Sequence, residues 1–294
     1  MPIAATLTAS PITAIGIAVY VTLGLFVLFL ARQPIRQTTL IGPWSWTLAA
    51  LIAWAGTEFA DATTLISSGN LEPLRLATIA LSFCPIVAVL GAKRPQNFAW
   101  NFVVLSLWAI VTLPAAENFF LHPGQKLSMG DARSWFLWIL ILLGPINYIP
   151  TRFALPSLVV ASGQILALSP YLALLHRPLT VHPSQGGLIL ATTAILGSIL
   201  SYRAPSRGKS ANERLWFDFR DLFGLLWALR VQERINTQAQ QDHWNLELTW
   251  RGVQHFNHNP PATESDSTSD AAFHSNLRSL LRRFVSPEWI NSRL

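Results

Sequence analysis

The chain has 294 residues, of which 51% are hydrophobic and only 12% charged, against about 25% charged in an ordinary soluble domain. Of its 36 charged residues, 22 lie after Tyr202, so an apolar part gives way near residue 203 to a mixed-charge part and a wholly soluble globule is excluded. The net charge of +6 sits largely in short loops, where it reports orientation in a membrane, and no nucleic-acid partner is expected. A single cysteine, Cys84, excludes an internal disulfide and a cysteine-based zinc site.

A helix crosses the hydrocarbon core in about 20 apolar residues. Seven stretches qualify as spans, at about 11–31, 41–60, 74–91, 98–117, 133–149, 153–175 and 186–202. The first carries no charge from Pro11 to Ala31, and its first basic residue, Arg32, follows the apolar run. The basic n-region of a secretory signal is missing there, so this stretch is expected to remain as a span. The fifth is the weakest, interrupted by Gly144 and Pro145 and ended by Pro150. Small residues four apart, Gly187 with Ala191, Ala194 with Ser198 and Ala49 with Ala53, are candidate seams for helix packing, because lipid supplies no hydrophobic drive between helices.

With the amino terminus outside, the inside loops carry Arg32, Arg36, Lys93, Arg94, Arg152, Arg203, Arg207 and Lys209, and the outside segments Arg75, Lys126, Arg133 and Arg177. That asymmetry predicts a cytoplasmic carboxy terminus. Trp44, Trp46 and Trp100 fall at inner ends and Trp135 at an outer end, the depth indole rings favour. The expected fold is an all-α polytopic membrane protein of a bacterial inner membrane, with residues 1–202 as the bundle.

The central portion of each span lacks an ionisable residue, which argues against a proton pump or ion-coupled transporter with a midplane carboxylate. Gln164 is the deepest strongly polar side chain and needs a hydrogen-bond partner in another helix or in a cavity. At the outer ends stand Glu58, Asp61, Arg75, Glu117, His122, Asp131, Arg133, His176 and His182. Carboxylates and a histidine brought together there have the chemistry of an acid–base pair, and Glu58, Glu117, His122 and His176 are the candidate catalytic residues. No metal site and no cofactor is expected. Lys126 and Arg133 have the spacing of the first motif of membrane phosphatases related to phosphatidic acid phosphatase, but that family's Pro-Ser-Gly-His segment is absent. The last span has no lysine for a retinal Schiff base, and there is no Gly-x-Ser-Gly of a rhomboid protease and no Walker loop.

Residues 203–256 are expected to form a cytoplasmic amphipathic helix, about 211–237, and a short strand or helix. Trp216, Phe219, Phe223, Leu226 and Trp227 form an apolar face too wide for water, assigned to the membrane interface, with a protein-docking role as the alternative. Trp244, Leu246, Leu248 and Trp250 alternate with polar residues, the period of a half-buried strand. Its partner is the segment after Arg251-Gly252 or another chain, unless the helix continues through it. Residues 257–272 read as a disordered linker, and 273–294 as a basic amphipathic segment with Arg278, Arg282 and Arg283, ending in a short helix capped by Ser286 ahead of Pro287 and Glu288.

The expected partners are the lipid bilayer and another membrane or cytoplasmic protein met through the tail. A non-enzymatic anchoring, assembly or signalling module leads. A transporter or permease subunit and a membrane enzyme with an outer-face site stay open beside it.

Overall fold

The computed structural model describes residues 11–127, 129–175, 177–203, 210–255 and 264–294. The chain is mostly helical. Its bundle comprises α1 (Pro11–Leu30), the short α2 (Arg32–Ile35), α3 (Ile41–Ala62), α4 (Ser68–Ala80), α5 (Cys84–Leu90), α6 (Gln96–Leu121), α7 (Asp131–Tyr148), α8 (Ala154–Leu168) and α9 (Pro183–Arg203). Beyond it lie α10 (Ala211–Gln241), a hairpin of β1 (Leu246–Thr249) and β2 (Gly252–His255), α11 (Glu264–Leu281) and α12 (Pro287–Asn291).

Among the described residues, five helical stretches are long and apolar enough to cross a membrane: Ile15–Ile35, Gly69–Leu90, Phe98–Leu121, Ala154–Tyr171 and Pro183–Arg203. The second of these joins α4 to α5 through a single 3-10 turn at Leu81–Phe83. Their outward faces carry large apolar side chains, among them Ile15, Phe26, Phe102, Ile110 and Leu155, all exposed, as lipid-facing surfaces must be. The chain is therefore a membrane protein by its helices. α3 and α7, read from sequence as two further spans, fall short of the same measure. Three tryptophans, Pro43 and Glu58 dilute α3, and Asp131, Arg133 and Asn147 dilute α7.

The closest packing in the bundle is between α8 and α9, and glycine explains it. A side chain at Gly163 would meet the Gly187 carbonyl at 2.9 Å, and one at Gly187 would meet the Gly163 carbonyl at 2.6 Å and Trp54 at 3.1 Å. Gly187 is thus a seam residue, with an unforeseen partner in Gly163. Ala49, by contrast, faces outward, so its pairing with Ala53 is no helix–helix seam. Gln164 finds its partner across the bundle, donating to the Ser82 hydroxyl at 3.0 Å in the 3-10 turn.

The region after the bundle departs most from expectation. Ser210 caps α10 in a reciprocal box with Glu213, and the helix runs on to Gln241 with a break at Gly224 (φ 76°, ψ −174°). The alternating stretch is the strand β1, paired antiparallel with β2 so that Leu246 faces His255 and Leu248 faces Val253. Helix α11 begins at Glu264, inside the stretch read as a linker over 257–272. Phe273, Leu277 and Leu281, on one helical face, are fully buried, and that face supplies the reason for order that the polar composition before it hides. Ser286 caps α12 as expected, its hydroxyl accepting from the Trp289 amide.

The aromatic face assigned to lipid is a protein core instead. Trp216, Phe219 and Phe223 are fully buried, Trp227 nearly so, and Leu226 half-buried. Phe284 sits among three of them, with ring centroids 5.2 Å from Phe219, 5.4 Å from Phe223 and 4.9 Å from Trp227. Leu246, Leu248, Phe273, Leu277 and Trp289 complete one core with them. Burying such a side chain is worth about 1.5–3 kcal/mol whether lipid or protein covers it, so composition alone did not decide between the two. The hairpin, α11 and α12, all late in the chain, supply the cover. We call this unit, 210–294, the cap.

Candidate functional site

Two constellations of buried polar groups stand at opposite ends of the bundle. The first lies at the end away from the cap. Glu58, in the last turns of α3, is only 3% exposed. Arg75 of α4 grips it with both prongs, Nε to Oε1 and Nη2 to Oε2 at 3.1 Å each, and reaches Asp61 with the same Nη2. Ser184, at the start of α9, donates to Glu58 Oε1 and accepts from the indole of Trp54 at 2.9 Å. Beside them the Tyr171 hydroxyl donates to Glu72 at 3.3 Å, and Ser134 of α7 donates to the Tyr171 carbonyl. A buried charge is tolerated when it is paired and hydrogen-bonded, and Glu58 meets both conditions. Both its oxygens are engaged, which suits a clamp joining α3, α4 and α9 better than a free base.

The other candidate residues do not join it. Glu117 and His122, at the end of α6, are exposed, and their side chains make no hydrogen bond or ion pair among the described residues. His176 lies outside the described residues. Asp131, Arg133 and His182 are exposed as well. Among the described residues no three His, Cys, Asp or Glu side chains are grouped to hold a metal ion. A groove of about 200 Å³ between α6 and α7, lined by Ile110, Val111, Met129, Ala132, Arg133, Phe136 and Leu137, contains none of the four candidate residues. Ser184 and Trp54 were missed from sequence, because a partnership across 126 or 130 positions leaves no local spacing to read.

The second constellation is the seam between bundle and cap, where three separate loops of the bundle meet the carboxy-terminal unit. In the first, Thr38 bridges Val285, the Thr39 amide donates to the Phe284 carbonyl at 2.9 Å, and the Ser286 amide donates to the Gln37 carbonyl at 2.8 Å. In the second, the Arg94 amide donates to the Arg283 carbonyl at 2.8 Å and the Trp227 indole to the Val89 carbonyl at 2.7 Å.

The third loop, at the end of α7, is the most elaborate. Asn147 is fully buried and enters the break in α10, its Oδ1 accepting from the Leu226 amide at 3.1 Å and its Nδ2 donating to the Phe223 carbonyl at 3.5 Å. Tyr148 donates to the Leu222 carbonyl at 3.2 Å. A break in a helix frees backbone groups that cost free energy if buried unpaired, and these two side chains satisfy them. Only glycine fits the break. Its φ is positive, and a Cβ at Gly224 would stand 2.1 Å from Asn147 Nδ2.

Charges reinforce the same seam. Arg152 bonds Asp218 at 3.0 Å and stands 3.5 Å from Asp221. Arg293, from the chain's end, bonds the other oxygen of Asp218 at 2.9 Å. Arg220 bonds Asp221 at 2.8 Å and lies between the rings of Phe217 and Trp250. Burial pushes the Asp221 carboxyl above its ordinary value, while the charge and hydrogen bonds of Arg220 and the charge of Arg152 pull against that. Arg152 and Arg293 stand 66 and 75 positions from Asp218, too far apart for any local spacing to pair them.

Comparison with family models, with characterised proteins and with solved structures finds no match.

Proposed function

We propose that the chain is a multi-pass protein of a bacterial inner membrane that works as an anchoring, assembly or signalling module through its cytoplasmic cap. In this reading α3 and α7 cross the membrane too, giving seven spans, with the amino terminus outside. The loops after α1, α5 and α7 all bond the cap, while Glu58, Arg75, Tyr171 and Ser184 gather at the other end of the bundle. That alternation favours a full crossing by every intervening helix, and at about 1.5 Å per residue α3 reaches roughly 33 Å and α7 roughly 27 Å. Loops rich in Arg and Lys on the cap side agree with a cytoplasmic cap.

The observation that carries the functional reading is the insertion of Asn147 into the break of α10. A shift of α7 along its axis moves Asn147, Tyr148 and Arg152 together, and the cap is bonded to all three. The bundle then holds and positions the cap, and partners meet the cap.

The test is complementation of a deletion strain. A chain ending at residue 203 is expected to insert but to lose function, whereas Glu117→Ala and His122→Ala variants keep it. Function retained without the cap, or lost in those two variants at normal expression, would favour the outer-face enzyme instead. Reporter fusions after residues 36, 93 and 205 are expected in the cytoplasm, and fusions near 68, 126 and 182 outside. A cytoplasmic signal at 126 would overturn the seven-span topology.

A further inference from the structure

We propose that the seam between bundle and cap holds the headgroup of an anionic phospholipid, gripped by Arg36, Lys93, Arg94, Arg282 and Arg283. These residues come from three parts of the chain and meet through main-chain bonds. The Arg94 amide donates to the Arg283 carbonyl, and Gln37, next to Arg36, accepts from the Ser286 amide. The side chains of Arg36, Arg94, Arg282 and Arg283 are exposed and that of Lys93 half-exposed. None of the five takes part in an ion pair among the described residues, whereas Arg152 of the bundle and Arg220 and Arg293 of the cap are all committed to carboxylates at the same seam. The acid that reaches the cluster is Glu288, exposed on α12. Its carboxyl is held below the ordinary range first by hydrogen bonding with Ser286, with a smaller contribution from the charge of Arg94. Among the described residues, then, none of the five cations is ion-paired and Glu288 is the acid beside Arg94, and the excess of positive charge calls for an anion.

A lipid is favoured over a free phosphate by what stands next to the charges. Phe29 and Leu30, at the end of α1 just before Arg36, are exposed, and so is Phe98, four residues after Arg94 and 84% exposed. Arg32 lies over the Trp44 ring at 5.4 Å, an arrangement suited to the headgroup level. A ligand with a phosphate and acyl chains satisfies both kinds of surface at once, and an inorganic anion satisfies only one. Because Arg36 and Arg94 belong to the bundle while Arg282 and Arg283 belong to the cap, such a lipid bridges the two and adds to the hold on the cap.

The inference rests on the membrane placement and docked cap proposed above. The test uses the full chain in detergent, with lipid retention read by native mass spectrometry against phosphatidylglycerol, phosphatidylcholine and inorganic phosphate. Wild type is expected to retain phosphatidylglycerol in preference to the other two. A membrane-proximal Lys or Arg contributes about 1 kcal/mol to attraction of anionic lipid, so the R282Q/R283Q and R36Q/R94Q variants should each bind it at least about tenfold more weakly. R282K/R283K should stay within about threefold of wild type. Undiminished phosphatidylglycerol retention in both glutamine variants, equal retention of phosphatidylcholine, or equally strong binding of inorganic phosphate would overturn the site. A cap that remains docked by hydrogen exchange in that event would leave the proposed function standing, so the two failures are distinguishable.

Discussion

Glu58 shows how an acid can sit almost wholly inside a bundle end. Arg75 neutralises it, Ser184 and Asp61 complete the network, and Trp54 orients Ser184. Removing one partner of a buried pair leaves an uncompensated charge and costs about 3–5 kcal/mol, whereas removing the charge itself costs less. Arg75→Met is therefore expected to lower the unfolding free energy of the detergent-solubilised protein by about that amount, and Glu58→Gln by clearly less, since the amide still accepts from Ser184. Equal, small effects would show that Glu58 is solvated and idle. Part of this site was legible in the sequence. Glu58 and Glu117 both stand on the apolar side of a helix end, which singles out the two among the outer acids, and only Glu58 is buried; Arg75 is close enough in the chain to be counted with it. Ser184 and Trp54 carry no such mark, because a serine and a tryptophan at a helix end are ordinary until a distant helix brings a carboxylate between them.

Helix α10 illustrates the same limit for an element. Its amphipathic wheel reads as a helix over about 211–237 with a face that must be covered, and the period-two stretch after it as a strand or a continuing helix, where the structure has α10 to Gln241 and the strand β1. A wheel does not say what covers a face, and the cover comes from Phe273, Leu277, Phe284 and Trp289, all in the stretch 273–294 read as a separate basic amphipathic segment. Nor does it register the break at Gly224, since glycine inside a helical pattern is tolerated at about 1 kcal/mol and raises no alarm. The break has a defined consequence. Gly224→Ala is expected to cost about 1–3 kcal/mol for the backbone alone and more through the clash with Asn147. Amide hydrogen exchange over 211–241 should quicken while the α8–α9 pair keeps its protection. Adding Asn147→Ala should relieve the clash without restoring the wild-type rate. Unchanged exchange in Gly224→Ala would mean that α10 runs straight and does not receive α7.

The whole molecule is a membrane bundle with a folded unit fastened to one end of it. Five spans of the bundle were legible because crossing a membrane imposes length and apolarity, both visible along a chain. The bundle's attachment to the cap was not, because the contacts join loops to positions as far as 249 residues away, Gln37 to Ser286 among them. The account turns on that attachment, and a cross-link between Gln37→Cys and Ser286→Cys in a Cys84→Ala background tests it most directly. The two positions stand opposite each other beside the Thr38–Val285 bridge, with the Ser286 amide 2.8 Å from the Gln37 carbonyl, and hydrogen-bonded antiparallel neighbours lie about 5.5 Å apart at Cα, within the span a disulfide closes. Mild oxidation of native membranes is expected to close the cross-link nearly completely within the monomer, and a control pair joining Gln37→Cys to Thr237→Cys should stay open. Two thiols that both react freely with maleimide yet never cross-link would contradict a cap docked on the bundle.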